Sequence, residues 1–546
     1  MPGRLIMELT LSDKAGTAFA TRAFAGSCKV TASDVKKSGG KIRLSLSLPI
    51  RDIIGYFTAD TTDGPVPRLD WTISFSGYSS CNCPLLCFYS QSDSNRYTLF
   101  ADNLTDDFSC VARMNQQTGN YDVSWTFAAT KPFALYLDTK AGPWTAAIAR
   151  SMKTLRPGGR PYFPAGAWAP VYCTWYAAHA WLTNDFLDRN AKFAAELGCG
   201  TFIVDDGWCY DEMKRVSPQT IDTWYDDIGD WKVSEKKLPD FKAHIAYAQS
   251  LGLNYLLWVA PYFCFKNSAF YKSLPKDTKT APARWGTSVF DIRNVKLCSD
   301  VIGRMLSLVR DLGLNGLKVD FLDVIDGDVD APVGAASLAF IRKLSAGIRR
   351  YAGRDALIEF RQRYATPQML DYGTQFRAGD VPFDYLRNLG KLAAIRVLLG
   401  DKVPVHADPL YWRPDELDVT VARHMIASLS SVPMLSMDLA ALTKSHRAIV
   451  SHYLGFYREH IRTFSQGHWE VRFNGSVPAY LSVTRGKERI VILVDDKWLG
   501  AAAGAFRGTC HLLNFSANPV AAAEAFSLNG NKLKSAAVPA GGRGIL

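Results

Sequence analysis

The feature that most constrains this chain is a rhythm. Between about residues 162 and 465, short apolar runs alternate with longer amphipathic stretches. The runs fall at 167–172, 201–204, 254–259, 316–319, 356–360, 375–377, 403–405 and 433–436. Helical periodicity fills 185–197, 240–251, 299–312 and 335–351. A short apolar run can pass through a core as a strand buried on both faces. Parallel strands need a crossover between them, usually a helix. Eight such units over roughly 300 residues predict a closed (β/α)8 barrel. The one long interval, around 206–238, is an expected insertion after the second strand.

The flanks follow another period. Leu44-Ser45-Leu46-Ser47-Leu48 alternates at period two, as do parts of 70–75 and 121–127. Gly, Asn, Asp and Ser clusters separate these runs, so residues 1–155 read as an antiparallel β-sandwich. A helix over 144–154 and the breaker Arg156-Pro157-Gly158-Gly159-Arg160-Pro161 end it. Strand-like runs return at 489–494 and 509–513. The expected plan is an N-terminal sandwich over 1–155, a catalytic barrel over 162–465 and a small C-terminal β-sandwich domain over 466–546.

Composition narrows the partners. The 546 residues are 48% hydrophobic and 21% charged, which argues against wholesale disorder. The net charge is +11, but it is spread out and no run of five Lys/Arg occurs, so no nucleic-acid partner is expected. The longest apolar stretch, 255–265, is too short for a span and contains Pro261, so no membrane is expected either. Met1 to Leu5 leads into Glu8 without an apolar core, which predicts no secretory signal. Eleven cysteines are no disulfide framework. The C-x-C-x3-C cluster of Cys81, Cys83 and Cys87, with Cys110 beyond, reads as reduced structural thiols, and the expected compartment is cytoplasmic. A phosphate loop, H-E-x-x-H and G-x-S-x-G are all absent from the sequence.

Carboxylates recur in one kind of place. Asp205 and Asp206 follow the second run, Asp320 ends the fourth, Asp380 follows the sixth, and His406 and Asp408 follow the seventh. In a barrel of this kind those positions converge at the C-terminal mouth. A single Asp after a strand is often only a helix cap. Several together, beside aromatic and basic residues, suit either the paired carboxylates of a glycosidase or a hard metal ion. Lys318 stands two residues before Asp320, on the same side of the strand, where a cation keeps a carboxylate ionised.

At these residues the sequence resembles glycoside hydrolase family 36, the α-galactosidase-like enzymes of clan D. Asp205-Asp206-Gly207-Trp208 followed by Gly229-Asp230-Trp231 is similar to the family's DDGW…GDW stretch. Leu257-Trp258-Val259-Ala260-Pro261 is similar to its W-x-x-P strand, and Lys318-Val319-Asp320 to its K-x-D motif. The resemblance spans about 165–440, and both flanking β domains suit the family layout. It implies Asp320 as nucleophile and Asp380 as general acid/base. It implies Asp205 and Asp206 as acceptors from sugar hydroxyls, with Trp208, Trp258 or Trp175 as apolar walls. Lys318 and Arg377 join the expected substrate-binding set. No metal and no organic cofactor is implied.

The sequence departs from the family after strand five. A Cys/Ser/Gly-rich loop is common there, near the sugar's 2-position. Here the segment reads Ile358-Glu359-Phe360-Arg361-Gln362-Arg363-Tyr364. Strand alternation would put Glu359, Arg361 and Arg363 on one side, so Arg361 and Arg363 are expected to bind substrate, unless Glu359 clamps one of them. Ala260 and Tyr262 also stand where relatives carry acidic residues. The leading expectation is a retaining α-glycosidase for galactose-type sugars. The alternatives are an α-glycosidase or transglycosylase for another, anionic or substituted, sugar, and a non-catalytic carbohydrate-binding protein on a degenerate barrel. The expected partner is a carbohydrate, and a homo-oligomer stays open.

Overall fold

The computed structural model describes residues 6–156, 161–278 and 283–546. The opening Met1 to Leu5 and the central part of the breaker, Pro157 to Arg160, lie outside the described residues.

The N-terminal part forms two antiparallel sheets, one of six strands and one of five. In Ile42–Pro49, residues Ile42, Leu44, Leu46 and Leu48 are buried while Arg43, Ser47 and Pro49 face water. That period-two pattern is what fixes the register against Asn120–Phe127, where Trp125 sits opposite Leu44. Leu44, Leu46, Leu86, Phe88 and Trp125 share one buried core, to which both sheets contribute. The helix Trp144–Leu155 follows.

Eight parallel strands then make the barrel. In chain order they are Val171–Cys173, Thr201–Val204, Asn254–Val259, Gly316–Val319, Leu357–Arg361, Gln375–Arg377, Val405–His406 and Met434–Leu435. Strands one to seven pair in sequence order, and the eighth pairs with the first, with Met434 beside Val171. Between strands seven and eight, the Val432 N–H donates to Val405 at 2.7 Å and the Ala407 N–H donates to Val432 at 3.1 Å, which closes the ring. Every expected run yields a strand. The first begins at Val171 rather than 167, because Ala165–Trp168 coils into a 3-10 turn and Pro170 has no N–H for a ladder.

Most crossovers contain an α-helix, whereas strands five and six are joined by the 3-10 turns Gln362–Tyr364 and Pro367–Asp371. Val295–Leu312 buries Cys298, Val301, Ile302, Met305, Leu308 and Val309, spaced three and four apart. The Asn294 side chain caps its start and left-handed Gly313 ends it. No helix among the described residues is long and apolar enough to cross a membrane.

Two contacts orient the flanking parts around the barrel. Asp107 of the sandwich accepts the backbone N–H groups of Val333 at 3.0 Å and Gly334 at 2.7 Å, at the start of the helix after strand four. Gln362, just past strand five, donates to the carbonyl of Thr62 at 2.6 Å. The sandwich therefore presses on the mouth side of strands four and five. The C-terminal part is a six-stranded sheet with a two-stranded ribbon beside it. Cys81, Cys83, Cys87 and Cys110 are free buried thiols, and burial pushes Cys83 and Cys87 up to about 12.

Candidate active site

The ends of strands two, three, four and six meet in one narrow cavity. Trp175, Asp205, Asp206, Tyr225, Trp258, Lys318, Asp320, Phe321, Arg377 and Asp380 line it. A wider cleft lies elsewhere, where the helix Trp144–Leu155 meets the first C-terminal strand. That cleft gathers none of the strand-end carboxylates, so the smaller cavity is the chemically equipped one.

Asp320 is 5% exposed and sits at the centre. Trp258 Nε1 donates to its Oδ2 at 3.1 Å, and Arg361 Nη1 donates to its Oδ1 at 3.2 Å. Arg377 Nη2 stands 3.6 Å from Oδ2. The Phe321 N–H also donates to Oδ1, at 2.9 Å, and Phe321 takes φ 55°, a left-handed backbone that bulky residues rarely adopt. Burial alone would push the Asp320 carboxyl up. Arg361, Arg377 and Lys318 outweigh it and hold the carboxyl below its ordinary range.

Asp380 lies across the cavity, joined to Asp320 through one guanidinium. Arg377 Nη1 is 2.7 Å from Asp380 Oδ1 and 2.8 Å from Asp408 Oδ1. Burial opposes ionisation of Asp380, but Arg361 and Arg377 win and hold it well below the usual carboxylate range. Its side chain is 40% exposed, so solvent reaches it from the mouth. Asp408 is fully buried underneath. It accepts from Tyr176 Oη at 2.9 Å and from the Val381 N–H at 2.8 Å. Burial, then the Asp380 charge, pushes Asp408 up to about 7.

The Asp205-Asp206 pair divides its work. Asp205 Oδ2 takes Lys318 Nζ at 2.5 Å and Cys173 Sγ at 2.9 Å. Lys318 thus bonds to Asp205 rather than to Asp320, and acts on Asp320 only through its charge. Asp206 Oδ2 accepts from Trp224 Nε1 at 2.6 Å, while its buried Oδ1 has no partner among the described residues. Burial pushes Asp206 up to about 7, against the Trp224 bond. Gly207 next door adopts φ 112°, and a Cβ there would lie 2.6 Å from Ala180 Cα, so only glycine fits this turn.

Among the aromatic residues, Trp258 and Trp175 line the cavity, whereas Trp208 is buried beneath, donating through Nε1 to the Trp258 carbonyl at 2.9 Å. Two lining or supporting residues come from the insertion after strand two, Trp224 and Tyr225, and neither was singled out by sequence. Tyr225 packs edge-on to Phe321 at 5.6 Å.

The two arginines of the strand-five segment part company. The strand stops at Arg361 and Gln362–Tyr364 turns into a 3-10 helix, which ends the alternation. Arg361 stays on Asp320, its guanidinium 4.9 Å from the Phe321 ring centre. Arg363 reaches Asp60 of the sandwich at 2.6 Å and is absent from the cavity lining. Glu359 clamps neither. It takes the Gln375 amide at 3.0 Å, with Arg377 Nε at 3.7 Å and His406 Nδ1 at 3.4 Å.

Fold and cavity together define a class: a (β/α)8 barrel, flanked by β domains, whose mouth holds paired carboxylates around a small aromatic-walled space. Residues 167–330 match the melibiase family model. The α-galactosidase Mel36A of Lactobacillus acidophilus is 24% identical over 219 residues, 36% of this chain and 29% of that protein. The α-galactosidase AgaA of Geobacillus stearothermophilus is 27% identical over 154 residues, 27% of this chain and 20% of that one. The chain thus spans under a third of the length of these curated relatives. Among solved structures, the family 36 α-galactosidase AgaA aligns with TM-score 0.60 at 15% identity, covering 81% of this chain and 67% of that one. TtGalA, an α-galactosidase of Thermus thermophilus in complex with p-nitrophenyl α-D-galactopyranoside, aligns with TM-score 0.58 at 19% identity, covering 88% and 98%. The resemblance to glycoside hydrolase family 36 therefore holds: the chain is α-galactosidase-like in sequence over 167–330 and in fold over most of its length. Arg361, Arg377 and Asp380 lie beyond the matched segment.

Proposed function

We propose that this chain is a retaining α-glycosidase acting on terminal α-linked galactose-type sugars. Asp320 attacks the anomeric carbon and Asp380 gives its proton to the leaving oxygen. Water then cleaves the glycosyl-enzyme, with Asp380 taking the proton back. The observation that carries this reading is the Arg377 bridge, which joins two carboxylates from different strands across one cavity. The Arg361, Arg377 and Lys318 charges suit a nucleophile that must stay ionised. Trp175, Tyr225 and Trp258 offer apolar faces to a sugar ring. The Asp206 Oδ1 has no partner among the described residues and can accept a sugar hydroxyl. The galactose preference rests on the family match and on relatives named α-galactosidases.

A second sugar is favoured by one observation, Arg361 beside Asp320, where the family resemblance puts the 2-position. An anionic sugar gains less from it. Lys318, Arg361 and Arg377 each already pair with a protein carboxylate. Initial rates on a panel of nitrophenyl α-glycosides test the proposal. The galacto substrate should lead, and Asp320→Asn should abolish its turnover. A panel with no turnover, but with thermal stabilisation by free sugars, would instead support the non-catalytic binding protein.

A further inference from the structure

Away from the barrel mouth, the seam between the barrel's last helices and the C-terminal sheet gathers a second set of donor atoms. His460 lies at the joint between the helices Lys444–Glu459 and Ile461–Gln466. Glu488 and His511 stand on adjacent parallel strands, Glu488–Leu493 and Thr509–Asn514. Glu488 pairs with Thr509 and Ile490 with His511, so the two are offset by two positions and share one face. One ligand atom from each of the three residues lies within 4.8 Å of the other two. His460 Nδ1 is 2.9 Å, and His511 Nε2 3.6 Å, from the same Glu488 Oε1.

Ordinary hydrogen bonding accounts for only part of this cluster. The His511 Nε2 separation is too long for a hydrogen bond. Its Nδ1 is buried with no partner among the described residues. A buried imidazole bonded through neither nitrogen is unusual, since buried polar groups are nearly always satisfied. One supporting group also suits a metal. Thr463 Oγ1 donates to the other Glu488 oxygen. Metal-ligating side chains are commonly oriented by such outer partners.

We propose that His460, Glu488 and His511 form a divalent-metal site with zinc as its occupant. Zinc takes His nitrogen and carboxylate oxygen at about 2.0–2.2 Å in tetrahedral array, which sets donors roughly 3.3 Å apart. Only small side-chain shifts separate the present arrangement from that geometry. The three ligands leave a fourth position for water. The metal would tie the sheet to the barrel's closing helices, and turnover at the barrel mouth would not require it.

The test is calorimetric titration of zinc chloride into the full chain after dialysis against a chelator. One equivalent per chain, with a rise in Tm on zinc addition, is expected. His460→Gln/His511→Gln should lose both, while His452→Gln, which alters a neighbouring histidine outside the cluster, should keep both. No zinc uptake by the parent, or unchanged stoichiometry in the double variant, overturns the site. If the double variant fails to fold, the parent's cobalt(II) spectrum decides. Intense four-coordinate bands support the site, and the weak spectrum of hydrated cobalt overturns it.

Discussion

Arg377 and Asp380 meet at 2.7 Å, and the same arginine nitrogen holds Asp408 at 2.8 Å below. One guanidinium therefore sets both where Asp380 stands and how readily it carries a proton. Arg361 and Arg377 favour the ionised form of Asp380, so under the proposed mechanism the proton for the first step would be held by Asp380 and Asp408 together rather than by Asp380 alone. Such a pair titrates as a unit.

That pairing predicts the pH profile. kcat/KM should fall as pH rises through about 7, where burial and Asp380 place the Asp408 carboxyl and the pair gives up its last proton. Asp408→Asn removes the buried acid and leaves Arg377 more fully on Asp380. Asp380 then holds its proton less well, so the alkaline limb should move to lower pH while KM changes little. An unchanged limb would detach Asp408 from the proton.

The two strand-end carboxylates should differ on mutation. Asp320→Asn is expected to abolish turnover of every substrate. Asp380→Asn should cost about 10²–10⁴-fold on an alkyl α-glycoside and much less on a nitrophenyl one, whose leaving group needs little protonation. Equal losses on both substrates would falsify the acid/base role.

Arg361 and Arg363 should separate just as cleanly. Arg361→Ala removes a charged donor 3.2 Å from Asp320, so kcat/KM should fall and the ratio between substrates differing at the 2-position should change. Arg363→Ala breaks the contact to Asp60 and takes a cation away from buried Asp323, 4.0 Å from its Nε, so it should lower stability while keeping the parent's substrate ranking. The opposite pattern would return Arg363 to the site.

These contrasts show what was legible in the sequence. The barrel strands were, because most of their positions are buried and apolar, as in Asn254–Val259, while buried polar ones such as Lys318, Glu359 and Arg377 stand within short runs that still read as strands. The carboxylates at their ends were legible because they follow those runs. Arg363 lies outside the cavity because alternation holds only while the strand lasts, and the turn at Gln362–Tyr364 ends it. Trp208 stands in the DDGW motif yet packs under Trp258, since its neighbour Gly207 turns the chain away from the mouth. Trp224 and Tyr225 sit in an insertion with no periodicity, and only tertiary contacts bring them to Asp206 and Phe321. His460, Glu488 and His511 are far apart in the chain at no motif spacing.

Glu359 supplies a stability test. It is 1% exposed, and His406, Lys318 and Arg377 overcome its burial to hold its carboxyl below the ordinary 4.5. A depressed folded value means the stabilisation is present above 4.5 and is lost as pH falls through the folded value. Glu359→Gln should therefore lower stability in urea unfolding near neutrality, because it removes a buried negative charge that His406, Lys318 and Arg377 surround. The gap from the parent should close in acid. A gap independent of pH would assign the loss to packing.

The central claim is that Asp320 becomes covalently glycosylated. Rapid quenching of the enzyme with an activated 2-deoxy-2-fluoro-α-galactoside, followed by peptide mass spectrometry, reads this directly. The account predicts a fluorohexosyl adduct on the peptide containing Asp320, localised to that residue and absent in Asp320→Asn. An adduct on another residue, or turnover that leaves no adduct and releases the inverted anomer first, would contradict it.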